Sequence, residues 1–322
     1  MGSRTARDSF ASEVAEHYNQ VEQKKLAERK HSEIIDLRKF NNAMKSWMHH
    51  LVIDLPHQLE EREPLRILDL GCGKGGDLPK FVRIDKVGSV VGVDIAGVSI
   101  EQCKDRFKHL RFPPGRKLKG DFFVADLTRD IIREEIKKLG IENFHLASAQ
   151  FNLHYSFESF EQAVRYILNA SENLTFGGYF YGTYPDGPKL LKLARNSETP
   201  GQYKVGDILK VEFTPESLTN PRPFGTRYHF FLKEVVNCPE FLVHPKVLEK
   251  LLLHLGFIKI FDRSFEETIL KAKEGEKKDI FETTFEAHDA FRIKDGHATL
   301  DEFTWQSASI YRCFCYRKMT KN

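Results

Sequence analysis

Apolar and polar positions follow two alternating rhythms along this chain. Short apolar runs at 65–70, 89–94, 121–125, 145–150 and 179–184 read as buried strands. Between them, 77–83, 98–110, 128–139 and 159–174 space their apolar residues as helices do. This strand–helix alternation predicts an α/β fold, a Rossmann-like, doubly wound, mostly parallel sheet covered on both faces. Residues 8–51 read as a helical, charged extension, and Phe10, Val14 and Tyr18 recur every fourth position as a face that docks on the domain. After Pro185 the alternation stops. Strand-like pieces at 210–213 and 227–232 lie within the proline-rich stretch 186–240. A helix at 245–255, a strand at 257–262 and a last strand at 309–316 then complete a sheet edge. Residues 266–304 are rich in charge and read as a mobile insertion without chemistry of its own. The expected division is an N-terminal helical extension at 1–51 packed on one large domain at 52–322, with insertions at 186–243 and 266–304.

The 322 residues carry a net charge of +3 and are 41% hydrophobic, which suits one large globular domain rather than a wholesale polyanion binder. No apolar run approaches the roughly 20 residues that span a bilayer, and no signal peptide is visible. Cys72, Cys103, Cys238, Cys313 and Cys315 contain no C-x-x-C pair. No metal site is expected, and a reducing compartment fits; Cys313 and Cys315 alternate as buried thiols in a strand. The opening Met-Gly-Ser reads as an expression scar, so a longer natural N-terminus is expected.

The chemistry gathers where the first strand ends. Leu65, Ile67, Leu68 and Leu70 run into Gly71-Cys72-Gly73-Lys74-Gly75-Gly76, and the next apolar run closes on Asp94. A strand, a glycine turn, a helix and an acid ending the second strand form the nucleotide-binding half of a doubly wound fold, with the acid placed for ribose hydroxyls. The spacing also satisfies G-x-G-x-x-G, which leaves a nicotinamide dinucleotide open. Asp69 and Asp77 flank the turn. Two carboxylates there repel a pyrophosphate and suit a cofactor bearing an amine and a sulfonium. Asp126, at the end of the third run, either meets an adenine amino group or caps the following helix. The run Gln150-Phe151-Asn152-Leu153-His154-Tyr155-Ser156-Phe157 is aromatic and polar at once, at the ligand-facing end of the fourth strand. The stretch from Arg38 to Trp47 mixes cations, amides and aromatics, and its paired Asn41 and Asn42 carry a helix-propensity cost.

With these residues assembled, the chain resembles eukaryotic-type mRNA cap guanine-N7 methyltransferases from about residue 18 to the last strand. The motifs are Phe40-Asn41-Asn42-Ala43-Met44-Lys45, Leu68-Asp69-Leu70-Gly71-Cys72-Gly73-Lys74-Gly75-Gly76-Asp77-Leu78, Gln150 to Glu158, Pro239-Glu240-Phe241-Leu242-Val243 and Ser309-Ile310-Tyr311. One departure is Ala43, where the family has an aromatic residue. The resemblance implies a class I methyltransferase fold and S-adenosylmethionine contacts at Lys45, Asp69, Gly71, Gly73, Asp94, Asp126, Gln150 and Tyr155. It implies contacts to a GpppN cap at Asn41, Asn42, Lys74, Lys80, Arg106, Phe151, His154, Pro185, Glu240 and Tyr311, with the first insertion contributing to cap binding. Capped RNA as substrate, other capping or transcription proteins as partners, a nuclear location and a monomer are the corresponding expectations.

The residue types suit that chemistry. Guanine N1–H and N2–H₂ are adjacent donors, and one carboxylate, Glu240, accepts both. Phe151, Tyr155 and Tyr311 offer stacking faces worth about 1–3 kcal/mol per base. Lys74, Lys80 and Arg106 would meet the triphosphate near the glycine turn. Neutral guanine N7 has a lone pair and no proton, so no general base is expected; Glu240, His154 and Tyr155 position. Three other readings remain: a methyltransferase for another RNA position or a small molecule, an NAD-dependent oxidoreductase, and a cap-binding module without catalysis.

Overall fold

The computed structural model describes residues 4–20, 32–55, 64–275, 278–290, 292–294 and 297–319. The Met-Gly-Ser opening and residues 21–31 of the helical extension lie outside the described residues. Of that extension, α1 (Arg4–Gln20) and α2 (Ile35–Ile53) are described. Leu37, Phe40, Met44, Trp47 and Met48 form the buried stripe of α2. The basic, amide-rich stretch is therefore a core helix from which Asn42 and Lys45 reach Lys80 and Asp77 beside the glycine turn.

The strand–helix alternation is realised as β1 (Leu65–Leu70), α3 (Leu78–Val82), β2 (Val87–Asp94), α4 (Gly97–Lys108), β3 (Lys119–Val124), α5 (Arg133–Lys138), β4 (Phe144–Gln150), α6 (Phe160–Ser171) and β5 (Leu174–Pro185). β4 is buried along its whole length, as a parallel strand covered on both faces must be. Two helix boundaries differ from the sequence expectation by more than two residues. The helix expected at 128–139 begins only at Arg133, because Asp126 organises a turn first: Thr128 N and Thr128 Oγ1 donate to Asp126 Oδ1 at 2.9 and 2.7 Å. The helix expected at 159–174 ends at Ser171, and Leu174 already belongs to β5.

Beyond β5 come α7 (Gly187–Arg195), β6 (Gln202–Val205), β7 (Leu209–Phe213), α8 (Pro215–Thr219), β8 (Arg227–Leu232) and β9 (Val236–Phe241). The proline-rich stretch is thus a separate antiparallel sheet, in the order β6-β7-β8-β9, with two strands more than its sequence suggested. α9 (Pro245–His254) and β10 (Phe257–Ser264) follow. Next come α10 (Phe265–Glu274), α11 (Lys278–Ala287), the hairpin β11 (Arg292–Lys294) and β12 (His297–Thr299), α12 (Glu302–Ala308) and β13 (Tyr311–Lys318).

Described residues of the insertion expected to be mobile are instead packed against α2. Phe281 meets Trp47 edge-on at 6.0 Å, Phe285 meets Phe40 at 5.7 Å, and Ser46 Oγ lies 2.8 Å from His288 Nε2. The apolar pair Phe281 and Phe285 sits one helical turn apart among charges, which hides the face in composition.

The main sheet runs β10-β13-β5-β4-β1-β2-β3. β3, β2, β1, β4 and β5 are mutually parallel, whereas β13 is antiparallel to β5 and β10. Strand order reverses between β1 and β4, so a crevice opens at their carboxyl ends, the usual ligand position in such sheets. Among the described residues, no helix is long and apolar enough to cross a membrane.

Candidate functional site

β1 ends at Leu70 and the chain turns at once. Gly71, Gly73 and Gly75 have φ of 69°, 52° and 70°, where L side chains are strained. A Cβ on Gly71 would stand 2.2 Å from Asn152 Nδ2, whereas one on Gly73 would meet nothing within 4 Å. The first glycine is required by packing; the second leaves backbone bare to a ligand. Asp94 finishes the turn. Its Oδ2 accepts Gly73 N at 2.8 Å and its Oδ1 accepts Ala96 N at 2.9 Å. Burial raises its carboxyl above the ordinary range, against the pull of those amides.

Gly71, Gly73, Asp94, Asp126, Gln150 and Tyr155 line a single cavity at these strand ends. Gln150 is fixed by Thr183, whose Oγ1 donates to its Oε1 at 3.2 Å, and Asp126 combines its place on the wall with the turn cap described above. Phe10, Val14 and Tyr18 of α1 form another wall, so the docking face legible in the sequence lies over the crevice.

Lys45 and Asp69, two of the expected cofactor residues, do not line this cavity. Lys45 Nζ lies 2.7 Å from Asp77 Oδ1 and Lys80 Nζ lies 2.8 Å from the same oxygen. Lys80 Nζ also donates to Asn42 Oδ1 at 2.9 Å and Gly76 O at 3.2 Å. Burial alone would raise the Asp77 carboxyl; Lys45 and Lys80 overcome it and hold Asp77 well below the carboxylate range. Burial, with Asp77 beside it, drives Asp69 well above that range. Two ammonium groups, those of Lys45 and Lys80, therefore share the one Asp77 carboxylate oxygen. Burial, reinforced by Lys45, brings the Lys80 ammonium down to about 8 although Asp77 opposes the shift. Arg106 Nη1 reaches Gly75 O at 3.4 Å, and Lys74 stands on the turn itself, so the three expected phosphate-binding cations gather at this turn.

A second group lies beside the cavity. Phe151 and Tyr155 line it, and each reaches a further expected residue. Phe151, with φ of 59°, packs edge-on to Tyr311 at 4.8 Å, and Tyr311 pairs across the strands with Pro185. A bulky residue at positive φ is strained and marks a place for functional attention; Phe151 N is held there by Thr183 O at 3.1 Å and Thr183 Oγ1 at 3.0 Å. Tyr155 OH donates to Glu240 Oε1 at 3.4 Å, and Tyr228 OH donates to Glu240 Oε2 at 2.8 Å. Burial pushes both phenols well above their ordinary range, so they remain donors. His154 Nε2 sits 3.2 Å from Glu240 Oε1, without hydrogen-bond alignment, and His154 Nδ1 is buried without a partner. Asn41 Oδ1 is likewise buried and unpartnered. Orphaned buried polar atoms are uncommon and fit ligand groups that complete them.

Sequence reasoning passed over Tyr18, Asn152, Tyr166 and Tyr228. Asn152 donates to Gly71 O at 3.2 Å and accepts from Tyr166 OH, anchoring the turn. Only its place in the aromatic run hinted at this. Among the described residues, no group of three His, Cys, Asp or Glu could hold a metal ion.

The chain matches the mRNA (guanine-N7)-methyltransferase domain model over residues 2–319. It is 37% identical over 262 residues to an mRNA cap guanine-N7 methyltransferase of Caenorhabditis briggsae, covering 80% of this chain and 68% of that protein. It is 34% identical over 339 residues to its counterpart in Caenorhabditis elegans, covering 96% and 87%. To mRNA cap guanine-N7 methyltransferase 1 of Arabidopsis thaliana it is 33% identical over 328 residues, covering 96% and 82%. Among solved structures, an S-adenosylmethionine-dependent methyltransferase from Clostridium acetobutylicum superposes with a TM-score of 0.51 at 13% identity, over 88% of this chain and 92% of that one. A methyltransferase from Streptomyces caelestis gives 0.50 at 15%, over 85% and 89%. At such identity the likeness concerns the fold alone.

Proposed function

The chain belongs to the mRNA (guanine-N7)-methyltransferase family, and we propose that it transfers a methyl group from S-adenosylmethionine to N7 of the terminal guanine of the 5′ mRNA cap. Tyr155 carries the reading: it lines the cavity and also donates to Glu240. A cofactor in the cavity and a guanine on Glu240 would therefore be neighbours. The bare backbone at Gly73, the Asp94 carboxylate and the Gln150 amide suit a nucleoside cofactor. When bound, S-adenosylmethionine supplies the methyl carbon and a sulfonium that leaves as a neutral thioether.

The protein's share is to hold and to exclude. Asp94 would accept from ribose hydroxyls and Asp126 would meet the adenine edge. Glu240 would accept guanine N1–H and N2–H₂, with His154 completing the base or ribose contact and Phe151 and Tyr311 offering aromatic faces. Lys45 is the candidate for the cofactor's carboxylate. Lys74, Lys80 and Arg106 are the candidates for cap phosphates, and the two ammonium groups that share the Asp77 carboxylate suit such an anion. Asn41 and Asn42 lie on α2 beside that charge. Capped mRNA as the acceptor makes the nucleus the expected compartment.

The test is radiolabelled methyl transfer to GpppG-capped and uncapped RNA, with nuclease digestion to locate the methyl. Label should appear on cap guanine N7 alone. Glu240→Ala and His154→Ala should each lower kcat/KM at least about a hundredfold, since each removes a buried contact to the acceptor. Rates unchanged in both variants would dismiss the assignment.

A further inference from the structure

Beside the glycine turn lies a basic surface that the reading above leaves unused. From Lys104 to Lys119 the chain carries seven Lys or Arg and one acid, Asp105, with Phe112-Pro113-Pro114 near the centre. The second half of this run is the loop between α4 and β3. We propose that this loop, residues 109–117, binds the single-stranded RNA that follows the cap: Phe112 stacks on a base while Arg111 and Lys117 meet phosphates. The proposal rests on reading Lys80 and Arg106 as cations for the cap phosphates.

The loop is fastened to both elements that carry those cations. α4 leads into it; Arg106 of α4 reaches Gly75 O at 3.4 Å, and Lys80 of α3 reaches Gly76 O at 3.2 Å. The two cations therefore stand at neighbouring carbonyls of one turn. Arg116 then ties the loop to the end of α3. Its Nε donates to Val82 O at 3.1 Å, and its Nη2 to Phe81 O at 3.3 Å and Ile84 O at 2.8 Å. Open carbonyls at a helix end repel a phosphate; here Arg116 satisfies them. Arg83, three residues beyond Lys80, is exposed at the same end of α3. A phosphate chain leaving Lys80 and Arg106 toward the loop passes from one positive charge to the next.

The loop itself carries what a single strand needs. Phe112 is 37% exposed. Phe107 meets it edge-on at 6.4 Å and is itself packed on Phe122 of β3 at 5.4 Å. A ring propped by one aromatic neighbour, with over a third of its surface open, leaves a face to a base. Pro113 and Pro114 stiffen the loop, and Arg116 N closes a turn on Pro113 O at 3.0 Å, so little ordering entropy is lost on binding. Arg111 and Lys117 are exposed, and among the described residues no carboxylate pairs with either. A charge run that serves solubility alone has no use for an open aromatic ring at its centre.

The test compares GpppG itself with a GpppG-capped RNA of about 20 nucleotides, longer than the roughly 4–16 that a single-stranded site covers. Arg111→Ala combined with Lys117→Ala, and separately Phe112→Ala, should each raise KM for the long RNA about tenfold. KM for GpppG, kcat and S-adenosylhomocysteine binding should change less than about twofold, because the surface lies outside the reacting centre. In the double variant the slope of log KM for the long RNA against log salt should fall by about 1.4, at ~0.7 per phosphate contact on a single strand. An unchanged KM for the long RNA, or an equal rise on GpppG, overturns the proposal; a loop that serves a protein partner instead would give the first result. Fluorescence anisotropy with the same RNA lacking its cap separates this failure from failure of the cap reading. If the uncapped RNA binds, and binds about tenfold more weakly to the variants, while GpppG is not methylated, the cap assignment fails and the RNA surface stands. If the uncapped RNA binds the unaltered protein and the variants alike, or binds neither, the RNA surface fails whatever GpppG does.

Discussion

Two ammonium groups over one carboxylate make Lys80 sensitive to pH. Without a ligand its pKa lies at about 8, set by burial and by Lys45 against the attraction of Asp77. A cap phosphate would add a second anion and favour the charged form. Below about pH 8 the ligand-free protein already carries the charge that a phosphate wants. Above it, the proton must be taken up on binding. KM for capped RNA should therefore be flat up to about pH 8 and then climb by up to about tenfold per unit, as proton linkage requires. Lys80→Arg should flatten that climb, because a guanidinium stays charged. A KM constant from pH 7 to 9.5 in the unaltered protein would remove Lys80 from phosphate binding. The sequence offered Lys80 as one cation of three, and only the fold shows that it shares Asp77 with Lys45 from another helix.

The elements carry the site only if their register is right, and β5 gives a direct probe. A Cβ on Gly182 would stand 1.8 Å from Ala149 O on β4, and neither strand can retreat from a sheet packed on both faces. Gly182→Ala should lower stability by about 3 kcal/mol or more, seen as a fall in the urea midpoint; an unmoved midpoint would mean that the β4–β5 register is wrong. Parallel strands of this kind were legible because buried strands are short apolar runs bounded by glycine and aspartate. The β6–β9 sheet was half legible: its strands are short and interrupted by proline, and their partners are set by tertiary pairing. The packing of α11 was not legible, because the surface it covers lies on α2, far earlier in the chain. That contact can be tested too. Phe285 is buried against Phe40 and Phe281, and Phe285→Ala should cost about 3–5 kcal/mol and raise KM, since α2 also carries Asn42 and Lys45. An insertion indifferent to the core would leave thermal unfolding unchanged. Likewise, Glu240, His154 and Tyr155 were individually visible, but their convergence was legible only through resemblance, because β9 and the turn after β4 are brought together by two different sheets.

At the scale of the whole molecule, the parts act by geometry. The transfer moves a methyl carbon from sulfur to a ring nitrogen that already has its lone pair, so no proton needs to be removed. What the protein can contribute is alignment, which effective-molarity arguments value at roughly 7–11 kcal/mol, and charge placement. Glu240, on the opposite edge of the base, would offset positive charge as it develops at N7, and aromatic faces favour the cationic ring that results. The phenols of Tyr155 and Tyr228 keep their protons through any practical pH range, so neither acts as a base. These points predict a chemical step without acid–base titration. With enzyme in excess and both substrates saturating, the single-turnover rate should vary less than about twofold from pH 6 to 8. The Lys80 effect should appear only in KM, because saturation hides it. A sigmoidal rate with a midpoint inside that window would require an ionising proton acceptor, and positioning alone would no longer account for catalysis.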